Sequence, residues 1–193
     1  MDDFEKHLEK VSAQLHGLAP YLITGFMAWV LYPIGANNST TRFVERKSGG
    51  ELLLVIERFL QSCWNGTAKK EDAAALKKLL VAFEWDDAEV EMEEEDAAQG
   101  AVDYLGGVEL LTKNWGSARR LSQAEDCALQ IFERLNYKID FSEDESVIKR
   151  VNKLISTEKS NQLKIIKHLA ASGPSERPIE TLHQELIGFL AED

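Results

Sequence analysis

Glu158 and Gln162 are the two side chains whose type and spacing most suggest a binding site. They lie four residues apart, and helical periodicity places both on a stripe that is otherwise apolar, made of Val147, Val151, Leu154, Ile155, Ile165, Ile166 and Leu169. A carboxylate on such a face is buried, and a buried carboxylate must be paired, hydrogen-bonded or protonated. Glu158 and Gln162 are therefore the candidate ligand-binding residues, in a pocket that an enzyme or a small-molecule binder would need.

Two structural interpretations of the same residues compete with the pocket. In the first, the helix breaks at Ser156-Thr157, Thr157 caps a new helix, and Glu158 lies in its solvated first turn. In the second, the helix is continuous, and Glu158 and Gln162 belong to a satisfied structural hydrogen-bond network. The pattern favours these two interpretations over a ligand pocket.

A metal centre is not predicted. Glu180 and His183 form one Glu-x-x-His motif, as in carboxylate-bridged di-metal bundles, but those sites need two such motifs and two further carboxylates. None of the other histidines has a glutamate three residues before it, and Cys63 and Cys127 are not in a Cys-x-x-Cys pair. We therefore expect no metal and no cofactor, and we interpret His183 as a surface or boundary histidine.

The sequence also lacks the motifs of nucleophilic and phosphate chemistry. No Gly-x-Ser-x-Gly elbow or glycine-rich phosphate loop occurs, and neither Cys63 nor Cys127 has a basic or histidine neighbour that would lower its pKa. Each cysteine falls in an apolar helical stripe, which is typical of a buried thiol in a reducing compartment. No catalytic residue is predicted, and an enzyme is the less favoured class of protein.

One acidic segment accounts for the whole net charge of −11. Residues 84–109 contain 11 carboxylates and no Lys or Arg. The whole chain has 33 acidic and 22 basic residues, so these 11 carboxylates equal its excess of acidic residues. Such a block repels nucleic acid and anionic membranes and attracts basic proteins, and it lacks the spacing of a calcium loop. The candidate partner-binding residues are Glu91, Glu93, Glu94, Glu95 and Asp96. The competing interpretation is a solvated acidic cap.

Helical periodicity dominates the elements that must position these residues, and no segment alternates convincingly at period two. The predicted helices cover residues 4–16, 21–32, 50–64, from about 70 onward, 93–113 and 117–137, then one capped by Ser142 with Glu145 and a last one ending near Leu190. Residues 35–41 are rich in turn formers and are predicted to form a loop. We therefore expect one all-α domain, 1–193, built as a bundle of about seven or eight helices.

The segment between Pro20 and Pro33 is predicted to be the central helix of this bundle. It is mostly apolar and free of charge, and Pro33 is expected to end it. Residues 21–32 would form roughly 18 Å of helix, which is too short to span a bilayer. The chain begins with acidic residues where a secretory signal is positively charged, so a cytoplasmic location is predicted.

Several segments in sequence order carry a family resemblance. They are residues 4–11, the apolar helix ending in Pro33, the later helix with Phe59-Leu60, the acidic stretch leading into an alanine-rich helix at 86–101, and the pair Glu158 and Gln162. Together they resemble the uncharacterised helical family typified by YjaG, domain-of-unknown-function family 416. The resemblance covers most of the chain and implies an all-helical fold. That family has no established activity, so the resemblance implies no catalytic residue.

The function most consistent with these features is a non-enzymatic protein–protein interaction module. One alternative is an acidic inhibitor or immunity-type protein that masks a basic toxin or nuclease, and another is an enzyme or small-molecule binder with a pocket near Glu158. The expected partner is a basic protein, and a homodimer stays open. Neither nucleic acid nor a membrane is an expected partner.

Overall fold

The computed structural model describes residues 3–83, 90–113, 115, 120–173 and 182–191, and the side chain of Glu93 lies outside this description. Within these ranges the chain forms nine α-helices, one short 3-10 turn at Met92–Glu94 and no strand. The helices are α1 (Asp3–Leu15), α2 (Pro20–Gly35), α3 (Asn38–Ser48), α4 (Glu51–Trp64), α5 (Lys70–Ala82), α6 (Glu95–Thr112), α7 (Arg120–Asp140), α8 (Glu145–Ser172) and α9 (Gln184–Leu190). The prediction of an all-α fold is confirmed, and nine helices is close to the predicted seven or eight.

Nearly the whole length of α2 is buried. The side chains from Phe26 to Leu31 have no exposed surface, and the helix packs against α3, α4, α6, α7, α8 and α9. A helix that is apolar on all sides gains most free energy when other helices surround it, because every face then leaves water. None of the helices in the described ranges combines the length and the apolar character needed to cross a membrane.

The structure corrects the prediction that Pro33 ends this helix. The helix continues to Gly35, and both Pro33 and Ile34 are buried. Proline lacks the amide hydrogen that would bond to the preceding turn, so Pro33 removes one hydrogen bond from the helix. The helix extends two residues beyond Pro33, and the burial of Ile34 offsets that loss.

The predicted loop at residues 35–41 is also wrong, because α3 begins at Asn38. Asn37 is the N-cap of this helix, and its Oδ1 accepts hydrogen bonds from the amides of Ser39 at 2.8 Å and Thr40 at 3.4 Å. The residue types that favour turns also favour the N-cap position, since their short polar side chains satisfy free amides. The same composition therefore fits a helix start as well as a loop.

One unbroken helix of 28 residues, α8, carries Glu158 and Gln162. It does not break at Ser156-Thr157, so the interpretation in which Thr157 caps a new helix is wrong. Ile155 and Glu158, on either side of that pair, are both buried against the same core. Tertiary packing stabilises most helices in proteins, and here it outweighs the weak helix preference of Ser and Thr.

The N-terminus of α8 also differs from its prediction. Its N-cap is Asp144, whose Oδ1 accepts a hydrogen bond from the amide of Ser146 at 2.7 Å. The predicted capping box of Ser142 with Glu145 does not form, because the helix begins at Glu145 itself. Ser142 instead accepts a hydrogen bond from the amide of Asp144 at 3.2 Å.

Glycines in α6 allow side chains of neighbouring helices to approach its backbone. A Cβ atom at Gly107 would overlap the Leu31 side chain of α2, and a Cβ atom at Gly100 would overlap Thr40 Oγ1 of α3. At Gly106, by contrast, the nearest contact of an added Cβ would be 3.9 Å away. Gly100 and Gly107 therefore set how closely α6 packs against α3 and α2.

Candidate functional site

Arg134, Tyr137 and Phe141 form a stack near the C-terminal end of α7. They are three and four residues apart, which places them on one helical face, and Phe141 lies one residue beyond the helix. The Arg134 guanidinium lies 5.6 Å from the centre of the Tyr137 ring, and the Tyr137 and Phe141 rings lie 4.5 Å apart at 38°. Arg134 is fully buried, whereas Phe141, one residue past the helix, is 73% exposed. The stack therefore begins in the core and ends in solvent.

Asp96, in the first turn of α6, anchors the buried end of this stack. Its Oδ2 accepts hydrogen bonds from Arg134 Nη2 at 2.5 Å and from Lys138 Nζ at 2.8 Å. Burial alone would raise the pKa of Asp96, but the hydrogen bonds from Arg134 and Lys138 outweigh burial and hold that pKa below its ordinary value. The N-terminus of α6 also favours a negative charge. Asp96 thus joins the start of α6 to the end of α7.

Further buried polar groups lie close to Arg134. Asp103 Oδ1 accepts a hydrogen bond from Gln99 Nε2 at 2.8 Å, and burial raises the pKa of Asp103 despite that bond. Arg134 Nε and Nη1, Asp103 Oδ2 and Thr40 Oγ1 have no hydrogen-bond partner among the described residues. A Cβ at Gly100 would lie 3.5 Å from Arg134 Cζ as well as overlapping Thr40. A side chain at residue 100 would therefore displace Thr40, whereas its contact with the guanidinium would be at an ordinary van der Waals distance.

The exposed end of the stack borders a cleft of about 450 Å3 between the start of α6 and the end of α7. The cleft is lined by Ser39, Met92, Glu95, Asp96, Ala97, Tyr137, Lys138 and Phe141. Met92, in the 3-10 turn before α6, is 81% exposed. Two large apolar side chains, Met92 and Phe141, therefore meet solvent at one cleft.

The rim of this cleft is acidic. Glu91 and Glu95 are exposed and have no ion-pair partner among the described residues, whereas Glu94 pairs with Arg46 at 2.5 Å. Asp140, the residue before Phe141, is another exposed carboxylate. Among the residues that line the cleft, two are acidic, Glu95 and Asp96, and one is basic, Lys138, which is bonded to Asp96.

The five acidic residues predicted to bind a partner thus differ in their surroundings. Glu91 and Glu95 have no ion-pair partner in the described part of the chain, while Glu94 and Asp96 are used in ion pairs within the protein. The side chain of Glu93 lies outside the described residues. This arrangement leaves Glu91 and Glu95 available for contact and gives Asp96 a part in holding the cleft together.

Gln162 joins three helices inside the protein. Its Nε2 donates a hydrogen bond to the carbonyl oxygen of Ala128 on α7 at 3.2 Å, and its Oε1 lies 2.8 Å from Nε2 of His7 on α1. Because an amide oxygen can only accept, His7 must carry a proton on Nε2. Burial lowers the pKa of His7, and the hydrogen bond to Gln162 opposes part of that change. Gln162 is therefore a structural link between α1, α7 and α8.

The partner of Glu158 is His183 rather than Gln162. Glu158 Oε2 lies 3.4 Å from His183 Nε2, and the two side chains are 2% and 0% exposed. The imidazole stacks on the ring of Trp29, with ring centres 3.8 Å apart at 28°. The contact with Glu158 is at ion-pair distance but lacks hydrogen-bond geometry, and Glu158 Oε1 has no hydrogen-bond partner among the described residues.

Leu182 directs the chain so that His183 enters the core. Its φ is 77°, a left-handed conformation that costs an L-residue about 1 to 2 kcal/mol, and Asn161 Nδ2 donates a hydrogen bond to its carbonyl oxygen at 2.9 Å. The prediction that His183 is a surface or boundary histidine is wrong, since its side chain is fully buried. Glu180, the other member of its sequence motif, lies outside the described residues.

Burial limits what Glu158 and Gln162 can do chemically. Both side chains are shut off from solvent, and four clefts of about 290 to 600 Å3 on the described surface have other lining residues. A ligand would have to displace part of the core to reach either group. This arrangement favours the structural network over the ligand pocket.

Metal and thiol chemistry find little support in the geometry. In the described ranges, no group of three or more His, Cys, Asp or Glu side chains has the arrangement of a metal site. Cys63 and Cys127 are both buried, and burial raises the pKa of each thiol far above its ordinary value. A thiol in that state is protonated at neutral pH and is a poor nucleophile.

The buried Arg134 and three residues that line the cleft, Tyr137, Lys138 and Phe141, are not predicted from the sequence. Their helical spacing along residues 134–141 is a signal that the sequence does contain. The carboxylate that organises them, Asp96, is 38 residues from Arg134 along the chain. Only the packing of α6 against α7 shows that these residues belong together.

The described residues form an all-helical fold, and one cleft on their surface is lined by exposed apolar and acidic side chains. No protein-family model, curated protein or solved structure matches this chain. Membership of the YjaG-like family therefore stays a prediction, and the function must be argued from the cleft itself.

Proposed function

We propose that the protein is a non-enzymatic interaction module that holds a basic segment of another protein in the cleft between α6 and α7. The observation that carries this proposal is the exposure of Met92 and Phe141 at a cleft with an acidic rim. Buried apolar and aromatic anchors supply most of the affinity of a protein interface. Charged groups around them mainly steer the partner and fix its orientation.

Charge supports a basic partner in two ways. The net charge of −11 attracts a basic protein, over distances of about 10 Å at an ionic strength of 0.1 M. Glu91 and Glu95 have no ion pair in the described chain, so a cation can approach them without displacing another one. The flexible thioether of Met92 can adapt to the side chain that enters the cleft.

An acidic inhibitor or immunity-type protein would use the same cleft, so this alternative differs only in what binding does to the partner. It requires that the complex cover the catalytic surface of a basic toxin or nuclease. Loss of the partner's activity on binding would support it. The alternative of an enzyme or small-molecule binder depends on Glu158, and the burial of that side chain gives it less support.

Selection of binding peptides tests the proposal. A displayed library of random linear peptides is passed over the immobilised protein, and the dissociation constants of the recovered peptides are measured by fluorescence anisotropy. We expect these peptides to combine basic residues with one large apolar residue. Their affinity should fall as salt is added, because salt screens exposed charges.

Variants of the cleft separate the apolar from the charged contribution. Phe141→Ser should weaken binding at every salt concentration, whereas Glu91→Gln with Glu95→Gln should weaken it mainly at low salt by slowing association. A matched control, Glu51→Gln with Glu71→Gln, removes the same charge from exposed first turns of α4 and α5 and should change binding little. Peptides that bind all these proteins equally would show that the cleft is not the binding site.

A further inference from the structure

The stack formed by Arg134, Tyr137 and Phe141 has a paired cation at its buried end and an exposed aromatic ring at its other end. At the buried end, the Arg134 guanidinium lies over the Tyr137 ring and pairs with Asp96. At the exposed end, Phe141 is 73% exposed, and Glu95 lines the same cleft without an ion pair in the described chain. A ring and a carboxylate outside any ion pair therefore line the same cleft, and the cation that also lines it, Lys138, is bonded to Asp96.

The same combination of groups occurs a second time beside the cleft. The Arg46 guanidinium lies 5.6 Å from the centre of the Phe43 ring and pairs with Glu94 at 2.5 Å. Both completed examples contain a guanidinium, an aromatic ring and a carboxylate from the turn that begins α6. Phe141 and Glu95 provide two of these three parts.

We propose that an arginine of the partner supplies the third part, with its guanidinium stacked on Phe141 and paired with Glu95. This inference rests on the proposed function, and it adds that the cleft selects arginine over lysine. The long aliphatic stem of the arginine would lie along the apolar surface of Met92. The acidic rim favours the positive charge, so that the stacked cation is also attracted by its surroundings.

The reason for arginine rather than lysine is the shape of the cation. A guanidinium is planar, so it stacks on an aromatic face while its N–H groups still reach a carboxylate in a fork. A lysine ammonium is a compact and strongly hydrated charge, which gains less from lying against a ring at an exposed site. The contribution of a cation–π contact at an exposed site corresponds to about two- to five-fold in affinity.

Replacement of arginine by lysine within one peptide tests the inference. A basic peptide recovered on the wild-type protein is synthesised with each arginine changed in turn to lysine, and each dissociation constant is measured. We expect one position where lysine weakens binding about two- to five-fold. The Cδ protons of that arginine, which adjoin the stacked guanidinium, should also shift upfield in NMR spectra, because they lie at the edge of the ring.

Two variants locate the arginine in the cleft. Phe141→Leu keeps an apolar contact but removes the ring, so it should abolish the preference for arginine while retaining binding of the lysine peptide. Glu95→Gln should reduce the affinity for both peptides. Because Phe141 is largely exposed, neither variant should alter the fold, and circular dichroism checks this.

Four results would contradict the inference. Equal binding of the arginine and lysine peptides would disprove arginine selection and leave the proposed function standing. A preference for arginine that persists in Phe141→Leu would place the guanidinium elsewhere. Failure to recover any basic peptide would count against both proposals. Self-association of the protein that is lost in Phe141→Ser would replace the basic partner by a second copy of the chain.

Discussion

Glu158 on α8 and His183, which precedes α9, lie 3.4 Å apart inside the bundle, and the imidazole of His183 stacks on Trp29 at 3.8 Å. The helix α9 has only 7 residues, a length at which an isolated helix is unstable in water. Its formation must therefore depend on contacts with the rest of the protein. The buried histidine is one of these contacts.

Two side-chain amides hold the backbone at either end of α9. Asn161 donates a hydrogen bond to the carbonyl oxygen of Leu182 at 2.9 Å, and Asn37 donates one to the carbonyl oxygen of Leu190. A helix C-terminus leaves carbonyl groups without intrahelical partners, and the bond from Asn37 satisfies one of them. Together with the buried histidine, these bonds fix the position of α9 on α2 and α8.

Replacement of His183 by alanine should destabilise the protein by about 3 kcal/mol. The substitution leaves a cavity against Trp29 and removes the group that faces the buried carboxylate of Glu158, and both effects carry a cost. Chemical denaturation measures the loss in the free energy of unfolding. Hydrogen exchange should show the largest loss of protection in the amides of α9.

Two other substitutions serve as comparisons for His183→Ala. Glu158→Gln keeps the shape of the side chain and should change the free energy of unfolding by about 1 kcal/mol or less. His168→Ala, at a partly exposed histidine of α8, should change it by about 0.5 kcal/mol or less. If His183→Ala were as mild as His168→Ala, the buried pair would not hold α9 in place.

Gly106→Ala and Gly107→Ala are neighbouring substitutions in α6 with opposite expected effects. Gly106→Ala should raise the free energy of unfolding by about 0.5 to 1 kcal/mol, because its Cβ has room and alanine favours the helix. Gly107→Ala should lower it by about 1 to 2 kcal/mol, since its Cβ overlaps the buried Leu31 side chain. Urea denaturation of both variants decides the point. Stabilisation by Gly107→Ala would mean that α2 and α6 can move apart with little loss in the free energy of unfolding.

Asp96 and Glu95 are adjacent carboxylates with different expected roles. Asp96→Asn leaves the fully buried Arg134 without its carboxylate and should cost about 2 to 3 kcal/mol of stability. Glu95→Gln, at an exposed residue without an ion pair in the described chain, should change stability by about 0.5 kcal/mol or less. Binding of basic peptides should nevertheless weaken in Glu95→Gln. Equal stability of the two variants would contradict the anchoring role of Asp96.

Local patterns predict much of this fold. The 3.6-residue spacing of apolar side chains predicts the helices, and the charge-free stretch at 21–32 predicts a buried one. The prediction at Pro33 fails because burial extends the helix past the proline. The prediction at residues 35–41 fails because Asn37 caps a helix there, and the conformational preferences of these residues fit a loop and a helix start equally well. Residue types that favour a turn satisfy a helix start equally well.

For the candidate sites, too, the sequence predicts some features and not others. The apolar stripe predicts that Glu158 and Gln162 are buried if the helix is continuous, and the structure confirms this burial. The stripe does not predict that His183 is the partner of Glu158. Likewise, the helical pattern of α7 does not predict that Asp96 is the partner of Arg134. A pattern along one helix shows which face is buried, but the residue that covers this face comes from another part of the chain.

The pH dependence of stability should report the burial of His7. Burial lowers the pKa of His7 below its ordinary value of 6.5, and the charges of Lys159 and Lys10 act in the same direction. As the pH falls below 6.5, the unfolded chain takes up a proton at this histidine that the folded chain resists. The free energy of unfolding should therefore fall until the pH reaches the lower pKa of the folded state.

The variant His7→Gln separates this effect from other titrations. It should lose about 1 kcal/mol at about pH 8 through the altered bond to Gln162, yet its stability should fall less steeply than that of the wild type between about pH 7 and about pH 5. The stabilisation from Asp96, whose pKa is lowered, disappears only as the pH falls below 3.8 and lies outside this window. His16→Gln, at an exposed histidine just after α1, is the matched control for removal of a histidine side chain. Urea denaturation across this pH range gives the slope of the free energy of unfolding against pH for each protein. Parallel slopes for His7→Gln and the wild type would show that His7 takes up its proton equally well in the folded and unfolded chain.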